Sequence, residues 1–221
     1  MKEFLIENKK IYFEDHLNGG GNTFGIDSFK NEFVFPFINK GKILEMCSGP
    51  GFIGFYLNFI GLADELVLID INDENKECIN ETIKYNQLTN TKFIHSDVFD
   101  SFNEDIVFDT ILSNPPWYSK PSNTFYYENN EFLKAIDTDW NFHRKFFQSV
   151  EKFMNENTKI IFIENHHGMS LNELKNLLNG TNLKIEKVVS TNGGTPTIIH
   201  SFFTVILRLK NNDNIETQKF I

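Results

Sequence analysis

A doubly wound α/β sheet, mostly parallel and finished by a C-terminal antiparallel hairpin, is the fold class that this 221-residue sequence predicts. Three observations predict it. From Lys42 onward, short apolar runs alternate with amphipathic stretches, the signature of βαβ crossovers. The runs are apolar nearly throughout, as strands covered on both faces must be. The last two runs, residues 183–190 and 202–209, are joined by TNGGTPTIIHS with no helix between them, so they read as an antiparallel pair.

Taken in order, residues 1–41 read as a polar N-terminal arm, a Gly-rich stretch HLNGGGNTFG (16–25) and a helical segment SFKNEFVFPFINK interrupted by Pro36. Residues 42–210 read as the domain proper. KILEMC is its first strand and FIGFYLNFIGL the helix after it; ELVLIDIN is followed by the helix DENKECINETIKYNQL. In that helix Cys78/Thr82 and Ile79/Ile83 fall four apart on one buried face, with Asn72 or Asp73 expected as its N-cap. TKFIHSD and FDTILSNP are the next strands. An aromatic-rich insert (119–143) leads to the helix HRKFFQSVEKFMN, the strand TKIIFIEN, the helix SLNELKNLLNG and the closing pair, seven strands in all. Residues 211–221 read as a frayed polar tail.

An apolar fraction of 40% with 24 Phe supplies a core for a folded chain. With no apolar run of signal-peptide or membrane-spanning length, a cytoplasmic location away from the membrane is expected. Cys47 and Cys78 give neither a disulfide framework nor metal-ligand spacing, so the reading is reduced and metal-free. Acidic residues outnumber basic ones 30 to 21, which disfavours a large nucleic acid held by phosphate contacts.

Ligands of a doubly wound sheet bind beyond the carboxyl ends of its strands, so the residues just after each strand carry the chemistry. After the first comes ILEMCSGPGFIG, where Gly49, Gly51 and Gly54 satisfy G-x-G-x-x-G and Asp70 lies ~20 residues on. That loop suits a dinucleotide or S-adenosylmethionine (SAM) alike, and by itself leaves hydride and methyl transfer both open. After the fourth strand comes LSNPPWY (112–118). Consecutive prolines keep the carbonyls of Asn114 and Pro115 out of any helix and aimed outward. With the Asn114 side-chain carbonyl they form a pair of acceptors suited to an –NH2 group, and Trp117 offers a flat face to the planar group carrying it. Holding both hydrogens returns electron density to a delocalised nitrogen and aligns its lone pair for attack on a sulfonium methyl.

At this order and spacing, Glu45-x-Cys47-x-Gly49-x-Gly51, Asp70, Asp97 and Asn114-Pro115-Pro116-Trp117 resemble the class I SAM-dependent methyltransferases of the N-P-P-[YFW] type. These have a Rossmann-like seven-stranded sheet and include glutamine methyltransferases of release factors and adenine-amine methyltransferases of DNA and RNA. The resemblance covers roughly residues 20–210. NTFG (22–25) is similar to the Phe-Gly loop of the ribosomal-protein methyltransferases, implying that Phe24 and Gly25 fold over the cofactor. The resemblance further implies Glu45 near the methionine ammonium and Gly49 and Gly51 allowing close backbone approach. Asp70, with Ile71 beside it, would accept the ribose hydroxyls, and Asp97 with Val98 would meet the adenine. Cys47 departs from the pattern, since glycine is usual there, and is expected to crowd the turn.

Blander readings stand beside these. Asp70 and Asp73 could cap the next helix, and Asp97 could be a solvated loop carboxylate. Asn165, His166 and His167 could reach a substrate or simply form a surface loop, and Glu164 invites the same caution. Pro116, Tyr118 and Tyr126 are substrate-side candidates; Phe125, Tyr127 and Trp140 could stack on a planar substrate or pack the insert. HLNGGG could be a linker or a strip of backbone amides for an anion. The expectation is a SAM-dependent methyltransferase in which Asn114, Pro115 and Trp117 act on a planar nitrogen of a small molecule or protein side chain. Its rivals are an adenine-amine methyltransferase, a SAM-binding scaffold without turnover and, more distantly, a dehydrogenase.

Overall fold

The computed structural model describes residues 1–17, 21–103, 105–120, 134–190 and 202–210. Its centre is a seven-stranded sheet. In chain order the strands are β3 (Gly41–Met46), β4 (Ala63–Asp70), β5 (Thr91–His95), β6 (Thr110–Ser113), β7 (Lys159–Asn165), β8 (Leu183–Ser190) and β9 (Phe202–Leu209). They lie side by side as β5-β4-β3-β6-β7-β9-β8. The first five are parallel, whereas β9 runs antiparallel to both β7 and β8, as the joined final runs predict. Strand order reverses at β3, which has β4 on one side and β6 on the other, so the switch-point crevice opens beyond its carboxyl end.

Helices α2 (Phe52–Phe59), α3 (Asn75–Asn86), α4 (Asn141–Ser149) and α5 (Leu171–Leu177) cover the sheet. Period-two alternation sends successive strand residues into different cores. Ile43, Leu66 and Leu68 join Phe52 and Phe55 of α2 on one face. Leu44, Met46, Val67 and Ile69 join Phe146 and Phe147 of α4 on the other. Both faces are thereby buried, which is why these strands read as continuous apolar runs. Among the described residues no helix is long and apolar enough to cross a membrane.

The N-terminal region differs from the expected polar arm. β1 (Lys2–Ile6) and β2 (Lys9–Phe13) form an antiparallel hairpin turning at Glu7 and Asn8, both at positive φ. Without glycine that turn carries little hairpin signal. The hairpin buries Ile11 and Phe13 and is tied to α3, where the Tyr12 amide donates to Thr82 Oγ1 (2.9 Å) and Asn86 Nδ2 to the Lys10 carbonyl (2.7 Å). The helix expected over 28–40 is α1 (Ile26–Lys30) alone; the chain is extended at Asn31, and Pro36 sits in a short 3-10 turn at Phe35–Phe37. The N-cap of α3 is Glu74 rather than Asn72 or Asp73, and Asn72 Oδ1 instead accepts from the Glu74 amide at 3.1 Å. The expected tail, the 191–201 connection and the centre of the HLNGGG stretch lie outside the described residues.

Candidate active site

β3 ends at Met46, and the chain then swings through Cys47 (φ 55°), Gly49 (φ 50°) and Gly51 (φ 83°) into α2. Left-handed backbone suits the two glycines; Cys47 occupies the same region with a Cβ, a conformation uncommon for a non-glycine residue. Asp70, at the end of β4, holds this turn in place. Its Oδ2 accepts from the Gly49 amide (2.7 Å) and its Oδ1 from the Asn72 amide (2.8 Å). Burial raises its pKa, and the two amides pull it back only in part. A carboxylate has about four lone-pair sites, so these contacts leave capacity for further donors.

Glu45 projects from β3 toward α2, is 2% exposed, and accepts from the Gly54 amide at 2.7 Å. Burial pushes its carboxyl up to about 8, against the opposing pull of the Gly54 and Ile53 amides. A Cβ on Gly54 would fall 2.7 Å from Glu45 Oε2 and 2.9 Å from the Leu66 and Leu68 side chains. The third glycine of G-x-G-x-x-G therefore makes room for a carboxylate here.

Beyond β5 the chain passes Asp97 and Val98, the latter at φ 53°, a rare conformation for a β-branched residue. Lys145 of α4 bridges Asp97 Oδ2 (2.7 Å) and Asp100 Oδ2 (2.5 Å). At the end of β6, Ser113 Oγ donates to the Met46 carbonyl (2.7 Å) and fixes the Asn114-Pro115-Pro116-Trp117 segment beside the Gly-rich turn. Trp117 Nε1 donates to the Ile163 carbonyl (3.2 Å), and its ring stands edge-on to Phe202 and Phe24. The amides of Trp117 and Tyr118 both donate to the Ala135 carbonyl (2.9 Å each), which lays residues 134–139 alongside the motif.

One cavity of about 1050 Å³ joins these pieces. It is bordered by Glu45, Cys47, Gly49, Asp70, Ile71, Asp97, Val98, Asn114, Pro115, Pro116 and Trp117, and also by residues 134–139 and by Asn141, Phe142 and Arg144. Other candidates stand back from it. Gly51 starts α2, and Phe24 stands edge-on to Trp117, while Phe24, Gly25 and Tyr118 do not border the cavity. Asn165 and His166, expected on the substrate side, do not border it either. Asn165 Oδ1 accepts from the His167 amide (2.9 Å), its carbonyl accepts from the Gly168 and Met169 amides, and His166 stacks on Phe203. Trp140 is a packing residue, buried edge-on to His143. Phe125, Tyr126 and Tyr127 lie outside the described residues.

Sequence reasoning missed a buried group where the end of the insert meets α4 and β7. His143 of α4 has Nδ1 2.6 Å from Asp137 Oδ2 and Nε2 3.0 Å from Glu164 Oε1. Burial opposes charge on this ring, but Glu164 and Asp137 more than compensate, and its pKa rises to about 9. Burial likewise raises Glu164. The available signal was Asp137 standing just ahead of α4, where it accepts from the Phe142 (2.7 Å) and His143 (3.1 Å) amides.

The model of the methyltransferase small domain matches residues 11–192. The chain belongs to that family. The same fold is visible in solved structures at low identity. An S-adenosylmethionine-dependent methyltransferase from Clostridium acetobutylicum superposes with a TM-score of 0.58 at 13% identity, covering 83% of this chain and 89% of that one. The ribosomal protein L11 methylase of Lactobacillus delbrueckii gives 0.56 at 14%, with 80% and 76% covered. In sequence, the ribosomal protein uL3 glutamine methyltransferase of Francisella tularensis is 31% identical over 142 residues, 60% of this chain and 45% of that protein. The release factor glutamine methyltransferase of Fusobacterium nucleatum is 23% identical over 193 residues, covering 82% and 52%. The chain spans about half the length of these two glutamine methyltransferases. By family the chain is a methyltransferase small domain, and its sheet is the one expected of class I SAM-dependent methyltransferases.

The residues present fit that cofactor. The left-handed turn at Gly49 brings backbone to the cavity's edge, a buried carboxyl lies beneath it, a second carboxylate ends β4, and Ile71 and Val98 border the space beyond. At about 1050 Å³ the cavity also leaves room for part of a second molecule.

Proposed function

We propose that this chain transfers a methyl group from SAM to a planar nitrogen, with a protein side-chain amide of the glutamine type as acceptor. The observation that carries this reading is the Asn114-Pro115-Pro116-Trp117 segment at the end of β6, opening onto the same cavity as the Gly-rich turn. SAM, when bound, supplies an electrophilic methyl on a sulfonium. Glu45 would meet its ammonium, Asp70 its ribose hydroxyls and Asp97 its adenine amine, with Gly49 admitting it to the backbone. The Asn114 side-chain carbonyl and the Pro115 carbonyl would accept from the two hydrogens of the amide and direct its nitrogen lone pair at the methyl; S-adenosylhomocysteine would leave as the N–C bond forms, and one of the two protons would pass to solvent. Trp117, held by the Ile163 carbonyl and wedged against Phe202, keeps that acceptor pair in place.

The net charge of −9 and the two glutamine-methylating relatives favour protein over nucleic acid. Incubation with methyl-labelled SAM and a fractionated lysate tests the reading. Label is expected in protein, recovered as a methylated amide, and Asn114→Ala should lower it at least 100-fold while S-adenosylhomocysteine still binds. Label in RNA, lost steeply with added salt, would establish the nucleic-acid alternative; binding of S-adenosylhomocysteine with no label in any fraction would establish a scaffold.

A further inference from the structure

Three ionisable side chains from three segments meet beneath the cavity wall, and methyl transfer as described does not use them. Asp137 comes from the insert, His143 from α4 and Glu164 from the end of β7; they are 5%, 0% and 0% exposed. Each ring nitrogen of His143 faces a carboxyl oxygen, Asp137 Oδ2 at 2.6 Å and Glu164 Oε1 at 3.0 Å, and the ring also contacts Trp140, Phe142, Phe147 and Phe162. Among the described residues, Asp137 and Glu164 are the charged groups that face it. A carboxylate can only accept, and a neutral imidazole has one donor and one acceptor nitrogen. Two short contacts therefore need two protons. Both sit on the ring, or one sits on Nδ1 and the other on Glu164; either way the array carries a single negative charge.

The segment that this array holds is under backbone strain. Asp139 (φ 54°) and Trp140 (φ 59°) are consecutive non-glycine residues in the left-handed region. Asp137 braces them, accepting from the Phe142 and His143 amides through its carboxylate and from the Trp140 amide (2.9 Å) through its carbonyl. The same wall is joined to the Asn114–Trp117 side of the cavity through Ala135, and to the Asp97 side through Lys145.

We propose that the Asp137–His143–Glu164 array positions the cavity wall: while it holds two protons it clamps residues 137–140 to the end of β7 and keeps the Asn114–Trp117 and Asp97 sides in register. Loss of one proton leaves a ring nitrogen and a carboxylate face to face with no hydrogen between them, and the wall is released. The link to ligand binding rests on the cofactor reading above. His143 is a positioning residue and touches no reacting atom.

The test compares the full chain with Glu164→Gln. An amide at position 164 donates to Nε2 while Nδ1–H donates to Asp137, so both contacts survive with a neutral ring and no proton left to lose. NMR from pH 6 to 10.5 follows the His143 ring nitrogens and the Ala135, Asp137 and Trp140 amides; calorimetry follows S-adenosylhomocysteine affinity over the same range. In the native chain the wall amides should titrate with the ring, and affinity should fall about tenfold per pH unit above that titration relative to E164Q. The ligand's own ammonium titrates equally in both experiments and cancels in the ratio. Wall amides that stay still while the ring titrates, or an affinity ratio that is flat with pH, would overturn the proposal. Should the native chain bind no S-adenosylhomocysteine, the cofactor reading fails and the amide titration alone decides on the clamp.

Discussion

Replacing Glu45 by Gln should change how stability depends on pH, and the size of the change can be worked from the structure. The Glu45 carboxyl rises from 4.5 to about 8 because it is buried on β3 under α2, with no cation beside it among the described residues. That rise corresponds to about 5 kcal/mol in favour of the neutral acid. The folded chain therefore holds a proton that the unfolded chain has released anywhere between pH 4.5 and 8. In that window the group makes stability fall as pH rises, by about 1.4 kcal/mol per pH unit. Glu45→Gln keeps an acceptor for the Gly54 amide and removes the titration. Asp70, Glu164 and His143 titrate in both proteins and drop out of the difference. Urea denaturation at pH 5.5 and 7.5 should show the native chain losing about 2.5 kcal/mol more than the variant over that interval. Saturating S-adenosylhomocysteine should flatten the native slope, since an ammonium beside Glu45 favours the ionised form. Parallel stability curves for the two proteins would refute the assignment of a buried, neutral carboxyl at this position.

Other substitutions probe the same frame. Gly54→Ala puts a methyl against Glu45 Oε2, Leu66 and Leu68; overpacking should exceed the gain in helix propensity and cost about 1–2 kcal/mol in denaturant titrations. Asp70→Asn has one oxygen for the two amides of Gly49 and Asn72, so about 2 kcal/mol of stability should go, and S-adenosylhomocysteine affinity measured by calorimetry should fall at least tenfold. Gly168 lies so close to the Trp117 carbonyl that a Cβ would overlap it, so Gly168→Ala should cost about 3 kcal/mol by thermal unfolding and displace the Trp117 indole, visible as a shift in its fluorescence. Ser170 and Glu173 form a reciprocal capping box on α5, and Ser170→Ala should lower stability by about 1 kcal/mol while ligand affinity stays unchanged.

What could be read early was whatever depends on local pattern. Runs such as KILEMC and KIIFIEN are apolar throughout because helices cover both faces of the sheet, and that burial is written residue by residue. The Gly-rich turn and the Asn-Pro-Pro-Trp segment were legible because left-handed backbone and missing amides restrict residue type at the position itself. The hairpin at Glu7–Asn8 was not, since two ordinary residues make its turn and α3 stabilises it from some 70 positions away. Asn165 and His166 fall at a strand end and so read as site residues, yet the turn that follows uses Asn165 and the ring of Phe203 takes His166.

By itself the sequence determined the layered α/β sheet, its antiparallel ending, the Gly-rich turn and the Asn-Pro-Pro-Trp segment, because periodicity and backbone restriction act over a few residues. Only the tertiary structure decided that Gly54 makes room for the Glu45 carboxyl, and that Asp137, His143 and Glu164 form one buried array. Hydrogen bonding between side chains depends on which elements pack together, and no local pattern records that.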